Sequence, residues 1–232
     1  REGQLTWSSI KSIYRDEYDG LMHKLSVRGM DALVTPNHKL LTTRGLIEVD
    51  YLKESDQVIL MGTSEKGAEE EIYSDSFVEL AGWIVTEGNY EYKDDVLRRI
   101  CVWQNAGPKA DRIRKCLRIL GYKFSEGTRG ESNNICFAIS RHDSRKFKEV
   151  LSEKNISMEF MLALSQSQRD LLINTMIDGD GTRRKNNNLS FYQKDKDRMD
   201  MFQALSTLSG YKSNYHFIEN HISYGIETNY YA

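Results

Sequence analysis

Two acidic residues, each followed by a glycine, occupy matched positions in two copies of one short pattern. Glu87-Gly88 closes the stretch LAGWIVTEG, and Asp180-Gly181 closes INTMIDGDG, 93 positions further along. Mg²⁺ prefers oxygen ligands and keeps several waters, so one carboxylate from each copy together with backbone carbonyls is a sufficient site. Two anions brought together also disfavour each other's charged form unless a cation is near. The pattern therefore predicts a cation site of Glu87 and Asp180, with Gly88 and Gly181 supplying carbonyl oxygens.

Each copy of the pattern has the character of a helix that its glycine ends. Small residues stand at the equivalent positions Gly82 and Thr175, which would let two such helices cross closely. The two acids would then emerge side by side at one end of the helix pair. The apolar stripe of the first helix follows the i, i+3, i+4, i+7 spacing: Phe77, Leu80, Ala81 and Ile84.

The chain downstream of each pattern also repeats. A strand-like run ends in glutamine at Gln104 and again at Gln193, and a helical segment closes in the letters GYK at 121–123 and at 210–212. These matches are offset by 89 positions, so the first copy carries four more residues in its opening loop and strand. Loops absorb such insertions at little cost. We expect a first repeat over residues 76–165 and a second over 166–232, with a closing helix near 144–152 in the first.

Motif, order and spacing together resemble the LAGLIDADG homing endonucleases of the intein-encoded type. The resemblance implies an α+β fold, a pseudo-two-fold pair of helix/β-saddle repeats over residues 73–232, within a monomer that has internal pseudo-symmetry. It implies a site-specific endonuclease that hydrolyses double-stranded DNA at a long asymmetric target. Mg²⁺ is the implied cofactor, and Mn²⁺ would be tolerated. Hydrolysis of a phosphodiester needs an activated water, charge neutralisation and stabilisation of the leaving oxygen, and carboxylate-held magnesium supplies all three.

The resemblance also assigns roles to individual residues. Glu87 and Asp180 become catalytic metal ligands, and Gln104 and Gln193 stand where the family often has a polar residue that orients water. Lys154 occupies the place of the family's catalytic lysine, although the Ile-Pro pair that often follows it is Ile-Ser here. A lysine there would stabilise the phosphorane or help to deprotonate water. The matching lysine of the second half would fall at 243, beyond the last residue, so unequal half-sites and nicking are open alternatives.

Base reading would fall to the strands of a saddle that lies in successive major grooves. Residues 97–154 hold 14 Lys and Arg against 6 Asp and Glu, although the whole chain has a net charge of −2. This +8 block is where a surface that contacts phosphates would lie. The candidates are Arg98, Trp103, Arg129, Ser140 and Arg141 in the first repeat, and Arg183, Arg184, Lys185, Asn186, Ser190, Tyr192 and Asn214 in the second.

Residues 1–72 have a different composition, with 9 Lys and Arg against 14 Asp and Glu up to residue 75. The stretch LVTPNHKLLTTRG resembles the T-x-x-H block of inteins, which places Thr35 and His38 at the positions that assist cleavage of the upstream splice junction. Pro36 and Asn37 fit a tight turn that would present His38. We expect a smaller β-rich, Hint-like module that is partial, because the chain has neither an N-terminal Cys or Ser nor a terminal His-Asn.

Other readings of the chain stay open at this point. It could be a protein-splicing element whose terminal segments are missing, with host exteins as partners, or a cleavage-inactive DNA-binding relative or an RNA maturase. Three isolated cysteines show no C-x-x-C spacing and indicate neither zinc nor a disulfide framework. No long apolar run predicts a membrane span. We expect a cytoplasmic location in a bacterial, archaeal or phage-infected cell.

Overall fold

The computed structural model describes residues 4–5, 8–27, 30–59, 63–64, 68, 70–128, 133–185, 188–214, 216–223 and 226–232. Its contacts divide the chain into two units. One comprises Arg1–Glu65 and Ser206–Asn214, and the other comprises Lys66–Leu205 and Tyr215–Ala232. Within the described part of the chain, no helix combines the length and the apolar character that a membrane crossing requires.

The first unit is built from short two-stranded ribbons. Its strands are β1 (Gln4–Leu5), β2 (His23–Val27), β3 (Met30–Val34), β4 (Lys39–Thr42), β5 (Gly45–Glu48) and β6 (Thr63–Ser64). β1 pairs with β6 in parallel, whereas β2 pairs with β3 and β4 with β5 in antiparallel fashion. A tight turn joins β3 to β4, because the backbone N–H of His38 donates to the carbonyl of Thr35. The turn predicted at Pro36 and Asn37 is thus confirmed.

The second unit begins with a helix that leads into a four-stranded antiparallel sheet. The elements are α1 (Asp75–Glu87), β7 (Gly88–Lys93), β8 (Val96–Asn105), α2 (Pro108–Ile119), β9 (Phe124–Thr128), β10 (Asn134–Ile139) and α3 (Arg141–Lys148). The sheet order is β7-β8-β10-β9, and Ile100, Val102, Phe137 and Ile139 are fully buried on one of its faces. Helix α3 contacts β8, since the Ser144 hydroxyl accepts a hydrogen bond from the backbone N–H of Ile100.

The rest of the chain has a second motif helix followed by shorter strands. An antiparallel bridge joins Gln193 to Tyr231. The fold is therefore mixed α and β. The elements are β11 (Leu151–Ser152), β12 (Asn155–Ile156), α4 (Met158–Leu162), α5 (Gln166–Asp180), β13 (Gly181–Arg183), β14 (Leu189–Phe191), α6 (Lys196–Leu208), β15 (Phe217–Ser223) and β16 (Ile226–Tyr231).

The predicted closing helix at 144–152 is wrong in its bounds. α3 starts at Arg141 because Ser140 caps it, with the Ser140 hydroxyl accepting from the backbone N–H of Asp143. Leu151 and Ser152 lie outside the helix and form a short strand that pairs with β12. Ser140 and Arg141, predicted to read DNA from a strand, therefore lie at the start of a helix.

The two motif helices pack against each other through positions that are 93 residues apart. A Cβ added to Gly82 would lie 2.9 Å from Thr175 Cβ, and a Cβ added to Gly179 would lie 2.5 Å from Thr86 Cβ. At their N-termini, the Gln168 amide donates to the Asp75 carboxylate over 3.2 Å. Contact between equivalent positions means that the helices run parallel, so their C-termini also meet. The close crossing predicted at Gly82 and Thr175 is confirmed.

Gly179→Ala should destabilise the protein, because nothing larger than hydrogen fits where α5 crosses Thr86. Forcing a methyl group into a packed helix contact costs about 1–3 kcal/mol. Gly127→Ala is the matched control, since no atom lies within 4 Å of a Cβ added there and its φ is ordinary. Urea unfolding measures both. Equal stability of the two variants would contradict the close packing of α1 on α5.

Candidate active site

The two acids of the motifs end the two packed helices. Glu87 is the last residue of α1 and Asp180 the last of α5, and each is followed by its glycine as C-cap. Both glycines are sterically required. A Cβ on Gly88 would collide with the Ile84 carbonyl, and one on Gly181 would lie 2.5 Å from the Ser190 carbonyl oxygen. Each helix passes directly into a strand, without the opening loop that was predicted, and the carboxylate is fixed at the junction.

Both carboxylates are held in an environment that disfavours their charge. Burial, and then the negative charge of Asp180, raise the pKa of Glu87. Burial likewise raises the pKa of Asp180, against the opposing effects of Gln193 and of two nearby cations. The C-terminal end of each helix adds partial negative charge at the same place. Two neighbouring acids in such an environment are typical of a site that binds a cation.

A glutamine donates to each acid in the same way. The Gln104 amide nitrogen lies 3.1 Å from Glu87 Oε1, and that of Gln193 lies 2.7 Å from Asp180 Oδ2. The sequence predicted both glutamines in the site, and the structure brings both there. The pairs differ in one respect. The amide oxygen of Gln104 accepts from the backbone N–H of Asn105, whereas that of Gln193 has no partner among the residues described.

Lys154 also reaches this site. Its ammonium donates to the Thr86 carbonyl over 3.3 Å, one residue before Glu87, and both acids act electrostatically on it. Burial is the main cause that lowers the pKa of Lys154, and the charge of Arg198 adds to it. The side chain is delivered by a two-residue turn between β11 and β12. In that turn Glu153 and Lys154 both adopt a positive φ, +47° and +75°.

Two further cations lie near the acids and were not predicted. The charge of Lys109 opposes the raised pKa of Glu87, and the charge of Arg198 opposes that of Asp180. Lys109 lies at the start of α2 and also donates to the Asp178 carbonyl, while Arg198 lies at the start of α6. The two residues are 89 positions apart, the same offset as Gln104 and Gln193. That offset is the signal that would have found them.

Most of the predicted DNA-contacting residues lie at the surface, but some of them already bond other side chains of the protein. Trp103 is on β8 opposite Cys136. Arg183 is tied to Asp178 at 2.9 Å and to Asn174, and the Tyr192 hydroxyl bonds Thr182. Arg129 and Asn186 lie outside the described residues. Four others are placed as follows: Arg184 and Lys185 are exposed after β13, Ser190 is on β14, and Asn214 belongs to the first unit.

The residues predicted to act in splicing form a local turn. The Thr35 hydroxyl donates to the Asn37 side chain over 2.7 Å, and the side chain of His38 is exposed. The carbonyl of His38 accepts from the backbone N–H of Val49. No catalytic partner of His38 is seen within the described part of the chain, so a role in splicing stays a prediction.

No protein-family model matches the chain, and no curated protein does. Among solved structures, a double variant of the homing endonuclease I-DmoI bound to nicked target DNA with Mn is similar with a TM-score of 0.50, at 14% identity over 70% of this chain and 88% of that one. Mesophilic variants of I-DmoI give 0.49 at 15% identity, over 68% and 86% of the two chains. The N-terminal LAGLIDADG domain of DUF199/WhiA gives 0.45 at 13%, over 70% and 78%.

At this level of identity the likeness concerns the fold alone. The I-DmoI variant with the TM-score of 0.50 indicates a similar fold for the greater part of the chain. Activity, metal and target do not follow from it. The intein-type module predicted for residues 1–72 gains no support from these neighbours and stays a prediction.

Proposed function

We propose that this protein is a site-specific endonuclease that hydrolyses double-stranded DNA with Mg²⁺. The observation that carries the proposal is the meeting of Glu87 and Asp180 at the ends of two packed helices, each held by a glutamine. Structural carboxylates are normally paired with Arg or Lys, and the protein does this elsewhere, as at Asp178 with Arg112 and Arg183. The two acids of the site have no such direct partner among the described residues. A two-repeat domain over residues 73–232 is part of the same proposal.

The donor set fits a hard divalent cation. Glu87 and Asp180 would hold Mg²⁺ with oxygen ligands, and the carbonyls of Gly88 and Gly181 are the further candidates. Within the described residues no three Asp, Glu, His or Cys side chains cluster in a way that holds a metal, so phosphate and water would complete the coordination. When bound, the cation supplies charge neutralisation and activates water. The raised pKa of both acids agrees with a site whose charge balance includes a cation.

The protein's own side chains would orient the reactants. Gln104 and Gln193 fix the carboxylates, and the amide oxygen of Gln193, which has no partner among the described residues, can accept a hydrogen bond from a water molecule. Lys154 places an ammonium beside both acids, where it would stabilise charge developing on the phosphate. Lys109 and Arg198 would attract one scissile phosphate each.

Selection from a randomised double-stranded DNA library tests the proposal. Binding is selected with Ca²⁺, a cation of the same charge and oxygen preference, and the enriched DNA is then incubated with Mg²⁺ or with EDTA. We expect one long site to be enriched and to be cut with Mg²⁺ alone. Enrichment without cutting, in Mg²⁺ and in Mn²⁺, would make the protein a DNA-binding relative. Enrichment of no sequence would overturn DNA recognition as well.

A further inference from the structure

The sheet β7-β8-β10-β9 has one open face, on which Asn89 and Ser125 are exposed. Side chains alternate along a strand, so the full burial of Ile100 and Val102 on the helix side places Arg99, Cys101 and Trp103 of β8 on the opposite face. On β7, Glu91 pairs with Arg99 and shares that face. If the proposed function is correct, this open face is the one that meets the DNA.

A β-bulge rearranges the arginines at this point. Arg99 is paired with Glu91 and Leu97 with Tyr92, so Arg98 is the extra residue on β8 and has no residue directly opposite. The charge of Arg98 still acts on Glu91, which places both arginines near one carboxylate. Of the two arginines, only Arg99 forms a hydrogen bond with the Glu91 carboxylate. The sequence analysis named Arg98, and not Arg99, as a residue that reads DNA.

Both carboxylate oxygens of Glu91 accept hydrogen bonds within the protein. Oε2 accepts from the Arg99 Nε over 2.7 Å, and Oε1 accepts from the Cys101 thiol over 3.3 Å. The guanidinium of Arg99 is the main cause that lowers the pKa of Glu91. The arginine is thus held by one edge of its guanidinium. Its two terminal nitrogens form no hydrogen bond among the described residues, and 41% of its side chain is exposed.

We propose that Arg99, held in place by Glu91 and Cys101, recognises a guanine of the target DNA. An arginine reads guanine with two N–H groups directed at O6 and N7, and this is the commonest specific contact in the major groove. The terminal nitrogens of Arg99 remain available for it. Because the carboxylate already fixes the side chain, less conformational entropy is lost on binding than for an unrestrained arginine. Glu91 and Cys101 are positioning residues, since their polar atoms are already engaged in the free protein.

The inference rests on the proposed function, and a binding experiment separates the two. Binding sites are selected from the randomised library in Ca²⁺ for the wild type, Arg99→Lys and Glu91→Gln, with Arg145→Lys, exposed on α3, as the control of the same substitution. We expect the wild type to require G at one position by about tenfold or more, the discrimination typical of a bidentate contact. Arg99→Lys and Glu91→Gln should lose the preference at that position alone. Arg145→Lys should keep it.

The outcomes are distinct. If a long site is enriched but every variant selects the same bases as the wild type, Arg99 does not read guanine and the inference is overturned, while the endonuclease proposal stands. If no site is enriched, both fail. Should Glu91→Gln fold poorly by circular dichroism, the Cys101 pair decides instead. Cys101→Ser keeps a hydrogen-bond donor to Glu91 and should retain the G preference, whereas Cys101→Ala should weaken it. Identical base preferences of these two variants would contradict the positioning of Arg99 by Glu91 and Cys101.

Discussion

Asp180→Asn and Glu87→Gln should each abolish DNA cleavage and, at the same time, make the free protein more stable. Each substitution keeps the shape of the side chain and removes one of two charges that burial disfavours. Loss of a charge that stabilises the reaction lowers the rate by about 100-fold or more. Binding of the enriched DNA in Ca²⁺ should change much less, because the open face of the sheet β7-β8-β10-β9 is untouched. Rates of cleavage in Mg²⁺ and melting temperatures without divalent cations measure the two effects.

The melting temperatures of the two site variants should be higher than that of the wild type. An acid whose pKa is raised by folding destabilises the folded state at neutral pH, so its neutral analogue should melt higher, by roughly 2–4 °C for each kcal/mol in a chain of this size. Mg²⁺ should raise the melting temperature of the wild type and have little effect on the variants, since a ligand stabilises only the state that binds it. Asp94→Asn, in an exposed turn, is the charge-matched control and should cut normally. Lower melting temperatures for both site variants would show that the acids are structural.

Lys154→Gly should cut DNA at least about 100-fold more slowly without loss of stability. The ammonium beside Glu87 and Asp180 is removed, which lowers the rate by an amount typical for one charged group in a preorganised site. The substitution also relieves backbone strain, because Lys154 has a φ of +75°, which costs a residue with a side chain about 1–2 kcal/mol. Glycine adopts it freely and loses about 0.5–1 kcal/mol through its larger unfolded-state entropy.

Glu153→Gly is the matched control for this prediction. Glu153 shares the turn and has a φ of +47°, but its carboxylate is exposed and is not among the groups that act on Glu87 or Asp180. Its stability should change as that of Lys154→Gly does, and its cleavage should not change. Single-turnover cleavage and urea unfolding measure both variants. Equal cleavage by the two variants would show that Lys154 acts only as part of the turn.

The sequence was sufficient for the features that a repeated pattern specifies. Helical spacing and terminal glycines predicted α1 and α5, and the small residues predicted their crossing. That Gln104 and Gln193 accompany the acids was implied by the family resemblance, at positions that the 89-residue offset relates. For such features, the second copy in the same chain supports what the first copy predicts.

Features that depend on backbone conformation or tertiary context could not be predicted in this way. Glu-Lys carries no turn signal, so the strained turn at Glu153 and Lys154 was not anticipated. The bulge beside Arg98 depends on how β7 meets β8 and has no local signature. α3 begins earlier than predicted because Ser140 caps it, and Ser144 lies inside the helix, where its hydroxyl accepts from the backbone N–H of Ile100.

The most direct test of the account is the position of a divalent cation in a crystal of the protein with its selected DNA. Mn²⁺ gives an anomalous X-ray signal and prefers the oxygen ligands that suit Mg²⁺. We expect a peak at coordination distance, about 2.0–2.2 Å, from a carboxylate oxygen of Glu87 and of Asp180, together with a phosphate oxygen of the DNA. A peak elsewhere, or DNA cut in the crystal with no metal at these two acids, would contradict the central claim.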